Sequence, residues 1–489
     1  MKCFILTEGS KKIGFGHITR CSALYQAFEE YGITPEFIVN GDNTVKRLLY
    51  GKKHRILNWV KKEKVLFKII KDSAIVIIDS YLAGNNLYKK ISNFVKLPVY
   101  IDDNIRLNYP RGIVINGTIN SEKFKYLKKN GVIYLLGSKY MPLRKEFWNV
   151  PKKIIRKNIE NVMITFGGED HANLTPRILK VFTEDYPEIK KIVIIGGGFR
   201  NIDKIEKHKD NRIELMYSPD ATGMKEAMRK SDVAISAGGQ TLYELARVGV
   251  PTIAVAVADN QINNVKGWQT TGFIEYAGWF EDEDILKKIS LCFKKTECFN
   301  VRIVRNEISN KYIDGYGTLK TVKYCICEYY KHNIRVRESK LKDMYAVLNI
   351  SNEIDIRRNS FNSKKIRLNE HKSWYSNKLN DKNCVFLVAE IDNNIIGQIR
   401  FEVNEDEAVI SISIAKDFRG FGIGAVIIKK ALSILKANKK NVVCVKAYVK
   451  KNNINSRKFF ENNDFRYFRE TKIKGHIAIE YMDKQKLTE

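Results

Sequence analysis

The sequence predicts an α/β protein in which two doubly wound lobes are followed by a smaller α+β domain. Short runs rich in Ile and Val alternate with amphipathic stretches through the first part of the 489 residues, as buried parallel strands and helices do. Several of these runs end in glycines that lead into a helix, which is typical of doubly wound sheets. From about Ile334 longer apolar runs follow one another through turns, which indicates antiparallel strands.

The first lobe is expected over residues 1–150 and the second over residues 151–330. Strands of the first lobe are predicted at KCFILT, PEFIVNG, AIVIIDS and LPVYIDD. Strands of the second are predicted at VMITFGG, KIVIIGGG, RIELMY, DVAISAGG and PTIAVAV. The polar, basic stretch RKEFWNVPKKIIRKNIEN lies between the two sets and is expected to cross between the lobes. Both lobes are therefore expected to be Rossmann-like.

The third domain is expected over residues 331–489. The stretch IRVRESKLKDMYAVLNISNEIDIRRNSF predicts a strand followed by helical segments. Antiparallel strands are predicted in CVFLVAEIDNNIIGQIRFEVNEDEAVISISIA, with DNN as a turn between two of them. A glycine-rich loop and an amphipathic helix follow in DFRGFGIGAVIIKKAL.

The net charge of +30, from 85 Lys and Arg against 55 Asp and Glu, favours anionic ligands but no nucleic acid. A nucleic-acid binder would need a basic stripe with interleaved aromatic residues or a recognisable module, and the sequence has neither. A lysine-rich, solvated surface accounts for most of the charge. Its positive field also attracts phosphorylated small molecules.

The protein is expected to be cytoplasmic, with no membrane partner and no metal. No apolar run approaches the roughly 18–20 residues that span a bilayer, and the start MKCFILTEGSKK has too few apolar residues for a signal peptide. The eight cysteines are scattered without a C-x-x-C pair, which disfavours a metal centre. They are Cys3, Cys21, Cys292, Cys298, Cys325, Cys327, Cys384 and Cys444.

The loop GFGHITR joins the first predicted strand to a helix. Gly14 and Gly16 let backbone N–H groups approach a ligand, but Thr19 stands near the place of the third glycine of a dinucleotide fingerprint. His17 is expected at the helix N-terminus, where the macrodipole disfavours the imidazolium ion and leaves a ring able to accept a proton. His17 is therefore either such a base or a residue that caps the helix and packs between loops.

The second lobe carries SAGGQTLYELARVGVP after a predicted strand. Gly238 and Gly239 end the strand, and Gln240 and Thr241 open a helix. The N-terminus of such a helix suits a nucleotide diphosphate, and Glu244, one turn further on, can accept hydrogen bonds from both ribose hydroxyls. An ordinary α/β turn needs neither the paired glycines nor the glutamate.

These stretches carry a family resemblance over residues 1–330. GGQTLYELARVGVP resembles the UDP-sugar-binding lobe of GT-B glycosyltransferases of the lipid II-forming type. More specifically, the chain resembles the UDP-2,4-diacetamido-2,4,6-trideoxy-β-L-altropyranose hydrolases of pseudaminic acid biosynthesis. This second resemblance rests on IGFGHITRC, IDSY, YIDD, LLGSKYMPLRKEF and ITFGGEDHANLT, which occur in this order.

The resemblance implies a GT-B arrangement of the lobes and roles for individual residues. His17 matches the proposed catalytic histidine of the family, and Tyr81 matches a tyrosine near the substrate. His17 would take a proton from water while the helix near Gly239 stabilises the departing diphosphate, without a metal. Asp102 and Asp103 are expected to end a strand rather than to bind an ion. The implied UDP-sugar site comprises Gly14, Gly16, Arg20, Gly238, Gly239, Gln240, Thr241 and Glu244.

The third domain carries the most specific motif, ISIAKDFRGFGIGAVIIKKAL. Arg419, Gly422 and Gly424 follow the pattern R-x-x-G-x-G/A between a strand and a helix, where successive N–H groups can hold a pyrophosphate. This resembles motif A of the GNAT N-acetyltransferases, and VVCVKAYVKKNNINSRKFFENNDFRYF matches their later elements. The resemblance implies acetyl-CoA as co-substrate, held by Ile414, Arg419, Gly420, Phe421, Gly422, Ile423, Gly424, Ala425 and Asn455.

The sequence departs from the GNAT pattern at the proton-transfer groups. Phe459 and Phe460 stand where many members carry a tyrosine as general acid, and Asp464 replaces a familiar glycine. The alternatives for the acid are another tyrosine, Tyr448 or Tyr467, or water. The alternatives for the base are Glu402 and Glu407. NEIDIRRNSF and HKSWY resemble the subgroup that acetylates nucleotide-linked amino sugars or protein N-termini.

Together the resemblances imply two consecutive steps of pseudaminic acid biosynthesis. The 4-amino group of UDP-4-amino-4,6-dideoxy-N-acetyl-β-L-altrosamine is acetylated, and the diacetamido product is then hydrolysed to free sugar and UDP. Both ligands, the UDP-linked amino sugar and acetyl-CoA, are polyanions, which suits the basic surface. The alternatives are a GT-B glycosyltransferase of spore-coat or capsule synthesis and, on charge alone, a nucleic-acid binder.

Overall fold

A computed structural model describes residues 1–10, 14–200 and 202–483. The chain forms two compact units, Met1–Cys325 and a second that begins at Ile326. The division falls within the helix Gly317–Asn333, and so does the boundary expected at residue 331. In the part of the chain that is described, no helix has the length and apolar character needed to cross a membrane.

The first lobe of the first unit is a seven-stranded sheet. Its strands are β1 (Cys3–Gly9), β2 (Glu36–Gly41), β3 (His54–Ile56), β4 (Ile75–Asp79), β5 (Leu97–Ile101), β6 (Gly112–Asn116) and β7 (Val132–Leu136). Its helices are α1 (Gly16–Glu30), α2 (Glu63–Ile69) and α3 (Asn85–Phe94). All neighbours are parallel, in the order β3-β2-β1-β4-β5-β6-β7. The order reverses between β1 and β4, and ligands bind at the carboxyl ends of strands at such a point.

The second lobe is a six-stranded sheet, also wholly parallel. Its strands are β8 (Asn161–Thr165), β9 (Lys190–Ile195), β10 (Ile213–Tyr217), β11 (Val233–Ala237), β12 (Thr252–Ala256) and β13 (Ile274–Trp279). The helices from here to the end of the unit are α4 (Leu174–Asp185), α5 (Ile202–Glu206), α6 (Ala221–Lys230), α7 (Thr241–Val248), α8 (Asp259–Thr271), α9 (Ile285–Glu297), α10 (Phe299–Tyr312) and α11 (Gly317–Asn333). The order β10-β9-β8-β11-β12-β13 reverses between β8 and β11. Two apolar cores cover the two faces of this sheet.

The predicted Rossmann-like lobes are confirmed, although some strands are missing from the prediction. Every predicted strand of these lobes is present, and β3, β6, β7 and β13 are additional. β3 has only three residues and no apolar run. β6 and β7 are followed by 3-10 turns rather than α-helices, so the strand–helix alternation does not mark them.

The second unit contains a seven-stranded, mainly antiparallel sheet, which confirms the α+β prediction. Its strands are β14 (Arg335–Glu338), β15 (Cys384–Ile391), β16 (Asn394–Asn404), β17 (Glu407–Ile414), β18 (Cys444–Lys450), β19 (Phe465–Ile473) and β20 (His476–Asp483). Its helices are α12 (Met344–Ser351), α13 (Ile354–Asn359), α14 (Leu368–Asn380), α15 (Ile423–Asn438) and α16 (Ile454–Glu461). The order is β14-β15-β16-β17-β18-β20-β19, and β17 and β18 are parallel.

Close packing of α1 on β1 places the head of α1 over the sheet. Ile18, Cys21, Leu24 and Phe28 of α1 are buried, at the three- and four-residue spacing of one helix face. A side chain at Gly9 would collide with Ile18, because a Cβ atom there would lie 2.4 Å from its Cδ1. The first turn of α1 is thereby held beside the carboxyl ends of β1 and β4.

Candidate active sites

His17 lies in the first turn of α1 and is held by a buried carboxylate. Its Nδ1 is 2.8 Å from Oδ1 of Asp79, the last residue of β4. A carboxylate only accepts hydrogen bonds, so Nδ1 carries the proton and Nε2 keeps its lone pair. Nε2 lies 3.9 Å from Oε1 of the buried Glu8. His17 is thus placed as a histidine base is placed in His–Asp pairs, with one nitrogen oriented by a carboxylate and the other left as a proton acceptor.

Arg20 completes an ion cluster around this histidine. Its Nε and Nη2 each donate to Asp79 at 2.5 Å, and its Nη1 donates to Asp103 at 3.0 Å. Burial opposes ionisation of Asp79, but Arg20 and His17 hold the pKa of this carboxyl well below its usual range. Nη2 also lies 3.1 Å from His17 Nδ1, whose proton is directed to Asp79 at the shorter distance of 2.8 Å.

Tyr81 lies at the edge of the same cluster and faces the second lobe. Its hydroxyl donates to both oxygens of Asp103 at 2.7 Å, and its ring meets the His17 ring edge-on, with centroids 4.7 Å apart. Burial and the charge of Asp103 raise the pKa of Tyr81, so the hydroxyl stays protonated. The side chain of Asn260, in the first turn of α8, is within hydrogen-bonding reach of Tyr81. The cluster therefore lies in the cleft between the two lobes.

The second-lobe loop is predicted to hold a diphosphate, and its residues Gly238, Gly239 and Gln240 have different surroundings. Gly238 has a packing role, because a Cβ atom there would lie 2.4 Å from Val265 of α8, whereas a Cβ atom at Gly239 would meet nothing closer than 3.9 Å. The side chain of Gln240 does not cap α7 but donates to the carbonyl of Pro142 at 2.9 Å. Backbone at Gly239 is thus open beside the positive end of the α7 dipole.

Glu244 forms a buried ion pair in the first turn of α7. Arg144 Nε and Nη2 donate to its two oxygens at 2.8 and 2.9 Å. Burial raises the pKa of Glu244, while Arg144 acts in the opposite direction. One lone pair of each oxygen is used by Arg144, so the predicted ribose contact needs the second. Arg144 belongs to LLGSKYMPLRKEF and anchors this segment to the second lobe.

Asp282 and Asp284 form an Asp-x-Asp pair before α9, but Lys288 contacts both, at 3.0 and 2.8 Å. Within the described residues, no three His, Cys, Asp or Glu side chains converge as ligands of a metal ion would.

The glycine-rich loop of the second unit is shaped by two left-handed residues. Gly420 and Gly422 have φ of +79° and +70°, and a Cβ atom at either would lie in open space. Arg419 donates from Nε to the carbonyl of Ile414 at 2.7 Å and pairs with Glu353, so it also braces the loop. Gly422 immediately precedes α15, whose N-terminus therefore faces the opening.

Gly424 and Phe421 have packing roles that the motif did not indicate. A Cβ atom at Gly424 would lie 2.6 Å from Cε2 of Phe459, so the aromatic ring on α16 requires the glycine. Phe421 packs its ring against Tyr330 of the same unit, with centroids 5.4 Å apart. A bulky residue at Gly424 would therefore disturb packing as well as any bound pyrophosphate.

A cavity of about 1100 Å³ opens beside this loop. β17 pairs with β18 only from Glu407–Cys444 to Ile410–Ala447, although β17 continues to Ile414 and β18 to Lys450. Beyond Ile410 and Ala447 the two strands are no longer paired with each other. Their backbone groups there can form hydrogen bonds with an extended ligand that carries amide groups. Apart from Phe421, the residues expected to hold acetyl-CoA line this cavity. They are Ile414, Arg419, Gly420, Gly422, Ile423, Gly424, Ala425 and Asn455.

Two parts of the chain match known families. Residues 161–297 match the glycosyltransferase family 28 C-terminal domain, and residues 346–465 match the acetyltransferase (GNAT) family. The second match agrees with the cavity beside the R-x-x-G-x-G loop. The second unit carries a GNAT acetyltransferase domain.

Curated relatives cover the first unit or nearly the whole chain. An uncharacterised protein of Methanocaldococcus jannaschii is 25% identical over 95% of this chain and 97% of its own length. The pseudaminic acid cytidylyltransferase and UDP-2,4-diacetamido-2,4,6-trideoxy-β-L-altropyranose hydrolase of Helicobacter pylori is 24% identical over 60% of this chain and 49% of its own length. A spore coat polysaccharide biosynthesis protein of Bacillus subtilis is 22% identical over 65% of this chain and 95% of its own length.

The chain therefore joins a unit related to the pseudaminic acid pathway hydrolases to a GNAT domain. It is an enzyme with a hydrolase-type unit and an acetyltransferase unit. Acetyl-CoA is the co-substrate of the GNAT domain.

The candidates for the general acid and the general base of the GNAT domain have different surroundings. Tyr448 lines the cavity, and its hydroxyl lies 3.4 Å from Glu480; burial and Glu480 raise the pKa of Tyr448. Tyr467 is 58% exposed on the edge strand β19. Glu402 pairs with Lys378 at 3.1 Å, and Glu407 pairs with Lys446 at 2.5 Å. Tyr448 is thus the acid candidate at the cavity, whereas both glutamates are engaged by lysines.

Replacing Gly422 by Asn is expected to weaken acetyl-CoA binding more than tenfold, or by about 1.4 kcal/mol. Asn tolerates the left-handed region, so the loop can keep its shape while the new side chain occupies the space beside it. Isothermal titration with acetyl-CoA measures the effect. Gly475→Asn is the matched control, because Gly475 has φ of +82° and open surroundings in the turn between β19 and β20. Equal affinity in the two variants would contradict a ligand at Gly422.

Several residues of the first-unit cluster lie outside the set predicted from sequence. Glu8, Asp79 and Asp103 each lie in or just after the carboxyl end of a parallel strand. Arg144 lies in LLGSKYMPLRKEF, one of the stretches that carry the family resemblance. The strand positions offered a signal, because ligands of doubly wound folds bind at that edge. Asp103 was expected only to end a strand, and the structure adds its contacts with Arg20 and Tyr81.

Proposed function

We propose that the chain catalyses two consecutive steps of pseudaminic acid biosynthesis. The GNAT domain acetylates the 4-amino group of UDP-4-amino-4,6-dideoxy-N-acetyl-β-L-altrosamine. The first unit then hydrolyses UDP-2,4-diacetamido-2,4,6-trideoxy-β-L-altropyranose to UDP and the free sugar. The observation that carries the second step is His17, whose Nδ1 is held by Asp79 at the carboxyl edge of the first-lobe sheet, so that the Nε2 lone pair remains as a proton acceptor.

The hydrolysis needs an activated water and a stabilised leaving group. Nε2 of His17 takes a proton from water as the oxygen attacks the anomeric carbon, and Asp79 stabilises the imidazolium ion that forms. UDP departs with the bonding electron pair, and the backbone at Gly239 and the dipole of α7 stabilise the added charge. This route uses side chains and backbone of the first unit alone.

A mass-spectrometric assay tests the whole proposal. The enzyme is incubated with acetyl-CoA and the UDP-linked amino sugar, and the expected products are CoA, UDP and 2,4-diacetamido-2,4,6-trideoxy-L-altrose. The match to the glycosyltransferase family 28 C-terminal domain favours one rival, a glycosyltransferase that moves the sugar to an acceptor. Free sugar and UDP formed without any acceptor would exclude it. UDP-sugar that stays intact until an acceptor is supplied would contradict the proposed hydrolysis.

Glu244→Gln is expected to weaken UDP binding about tenfold, because a hydrogen bond to a charged carboxylate is roughly twice as strong as one to a neutral amide. Turnover at saturating UDP-sugar should change less, since the contact is the same in the ground and transition states. The neutral amide keeps a partner for Arg144, which Ala would leave unpaired. Titration with UDP measures the effect.

Glu275→Gln provides the matched control for this experiment. Glu275 is also paired with an arginine, Arg305, in the second lobe. Its replacement should leave UDP affinity unchanged. Similar losses in both variants would mean that Glu244 acts on stability and not on the ligand.

A further inference from the structure

The second-lobe loop before α7 has two backbone N–H groups to offer a ligand. Gly239 and Gln240 keep exposed surface, whereas Gly238 is buried. The N–H of Gly238 donates to the carbonyl of Val255 at 3.0 Å and to Oε1 of Gln261 at 3.1 Å. Among the residues that the structure describes, no acceptor contacts the N–H groups of Gly239 and Gln240. These two groups therefore remain for an anion, while that of Gly238 is used within the fold.

Asn264, on α8, binds the carbonyl side of the same loop. Its Nδ2 donates to the carbonyl of Gly238 at 2.7 Å and lies 3.4 Å from the carbonyl of Gly239. A carbonyl oxygen can only accept, so the amide nitrogen of Asn264 faces the loop and its Oδ1 faces away. The side chain is buried, so water competes little for these contacts.

Peptide geometry turns this contact into an orientation of the loop. In a planar trans peptide the C=O and N–H groups point in opposite directions, and no peptide bond in the described part of the chain is cis. The carbonyl of Gly238 shares a peptide unit with the N–H of Gly239, and the carbonyl of Gly239 shares one with the N–H of Gln240. Because Asn264 draws both carbonyls toward α8, both N–H groups point away from α8.

A buried tyrosine fixes Asn264 in turn. The hydroxyl of Tyr243, on α7, donates to Oδ1 of Asn264 and accepts from the backbone N–H of Ile119 at 2.9 Å. Burial raises the pKa of Tyr243, so the hydroxyl keeps the proton that Asn264 accepts. Ile119 lies between β6 and β7 of the first lobe. A chain of hydrogen bonds thus runs from the first lobe through Tyr243 and Asn264 to the loop.

We propose that Asn264 is a positioning residue of the first unit, which aims the N–H groups of Gly239 and Gln240 at the diphosphate of the UDP-sugar. The inference rests on the UDP-sugar hydrolysis of the proposed function. Departing UDP gains negative charge on its diphosphate. N–H groups that are already oriented stabilise this charge without reorganisation of the loop.

Asn264→Leu is expected to weaken UDP binding about tenfold, the lower range for loss of one hydrogen bond to a charged group. Leucine has a similar volume but no donor for the two carbonyls, so the loop no longer holds its N–H groups toward the ligand. Affinity for uridine, which has no phosphate, should stay within about twofold. Titrations of the full chain with UDP and with uridine measure both effects. A general loosening of the lobe would weaken both ligands.

Asn306→Leu is the matched control. Asn306 is also buried, and its Nδ2 donates at 2.9 Å to the carbonyl of Gly249, at the other end of α7. Its replacement should lower the thermal midpoint as Asn264→Leu does and leave UDP affinity unchanged. Glu244→Gln gives the opposite contrast, because a lost ribose contact weakens UDP and uridine alike.

Tyr243→Phe tests the chain of hydrogen bonds without altering Asn264. The variant removes the hydroxyl that holds Oδ1 but keeps the amide donor, so UDP affinity should fall about threefold, with uridine affinity unchanged. Tyr100→Phe is its control, since that buried hydroxyl donates to the carbonyl of Arg111 within the first lobe. Both affinities should be unchanged in the control.

The outcomes separate this inference from the proposed function. A wild-type enzyme that binds no UDP overturns both. A wild type that binds UDP, together with Asn264→Leu within about twofold of its affinity, overturns the inference alone. Equal losses of UDP and uridine affinity in Asn264→Leu also overturn it, because they assign Asn264 to packing. If Asn264→Leu does not fold, Tyr243→Phe decides, and an unchanged UDP affinity there overturns the inference.

Discussion

Replacing His17 by Asn is expected to lower the rate of UDP-sugar hydrolysis by about 10²–10⁴-fold, the usual contribution of a general base. The asparagine amide can still donate to Asp79 near the place of Nδ1, but it has no atom at the place of Nε2. The variant should therefore fold and bind UDP normally while losing the proton acceptor. Hydrolysis is followed as UDP release at saturating substrate.

Two controls accompany the His17 variant. His54→Asn changes the same residue type in the first lobe, at a histidine whose Nδ1 contacts the carbonyl of Lys52 at the edge of the sheet. It should hydrolyse at the wild-type rate. Acetyl transfer by the GNAT domain of the His17 variant should also be unchanged. A His17 variant with a near-normal hydrolysis rate would show that this histidine only packs at the head of α1.

Asp79→Asn is expected to lower hydrolysis by about 10²–10⁴-fold, because the carboxylate selects the tautomer of His17 and stabilises its protonated form. His17 and Asp79 act on the same proton, so the double variant should be little slower than the slower single variant. Rates for wild type, both single variants and the double variant complete the test. Losses that simply multiply would contradict a coupled pair.

The Asp79 variant also removes a buried partner of Arg20, and breaking a buried ion pair costs about 3–5 kcal/mol of stability. Asp232→Asn controls for this effect. Asp232 is buried in the second lobe and accepts from Arg156 at 2.9 and 3.1 Å. Its replacement should lower the thermal midpoint in the same way and leave hydrolysis intact below the transition. If Asp232→Asn lowered hydrolysis as much as Asp79→Asn does, the loss in both variants would follow from lower stability.

The fold could be predicted largely from local patterns. Buried parallel strands are short apolar runs, and runs such as AIVIIDS and DVAISAGG became β4 and β11 because both faces of their sheets are covered. The change at Ile334 indicated antiparallel pairing, because apolar runs that are joined directly by a turn such as DNN have no helix between them to connect parallel strands. β3 was missed because it carries no apolar run.

The roles of single residues were predicted less completely, because a motif does not show what else a residue touches. Gly238 and Gly424 stand in ligand-binding motifs, yet each is also required by a neighbouring side chain, Val265 and Phe459. Glu244 was predicted as a ribose ligand, and its pairing with Arg144 joins residues 100 positions apart. That distance along the chain leaves no local signal.

The sequence by itself determined the two Rossmann-like lobes, the GNAT domain and the loops at Gly16, Gly239 and Gly422. Those features depend on apolar periodicity and on glycines at the points where a strand gives way to a helix, and both are properties of short stretches. Only the tertiary structure decided which carboxylate orients His17 and which arginine pairs with Glu244. Asp79 reaches His17 across 62 positions because the carboxyl ends of parallel strands converge. Such a contact between distant residues is set by the packing of the whole lobe, which no short stretch of sequence contains.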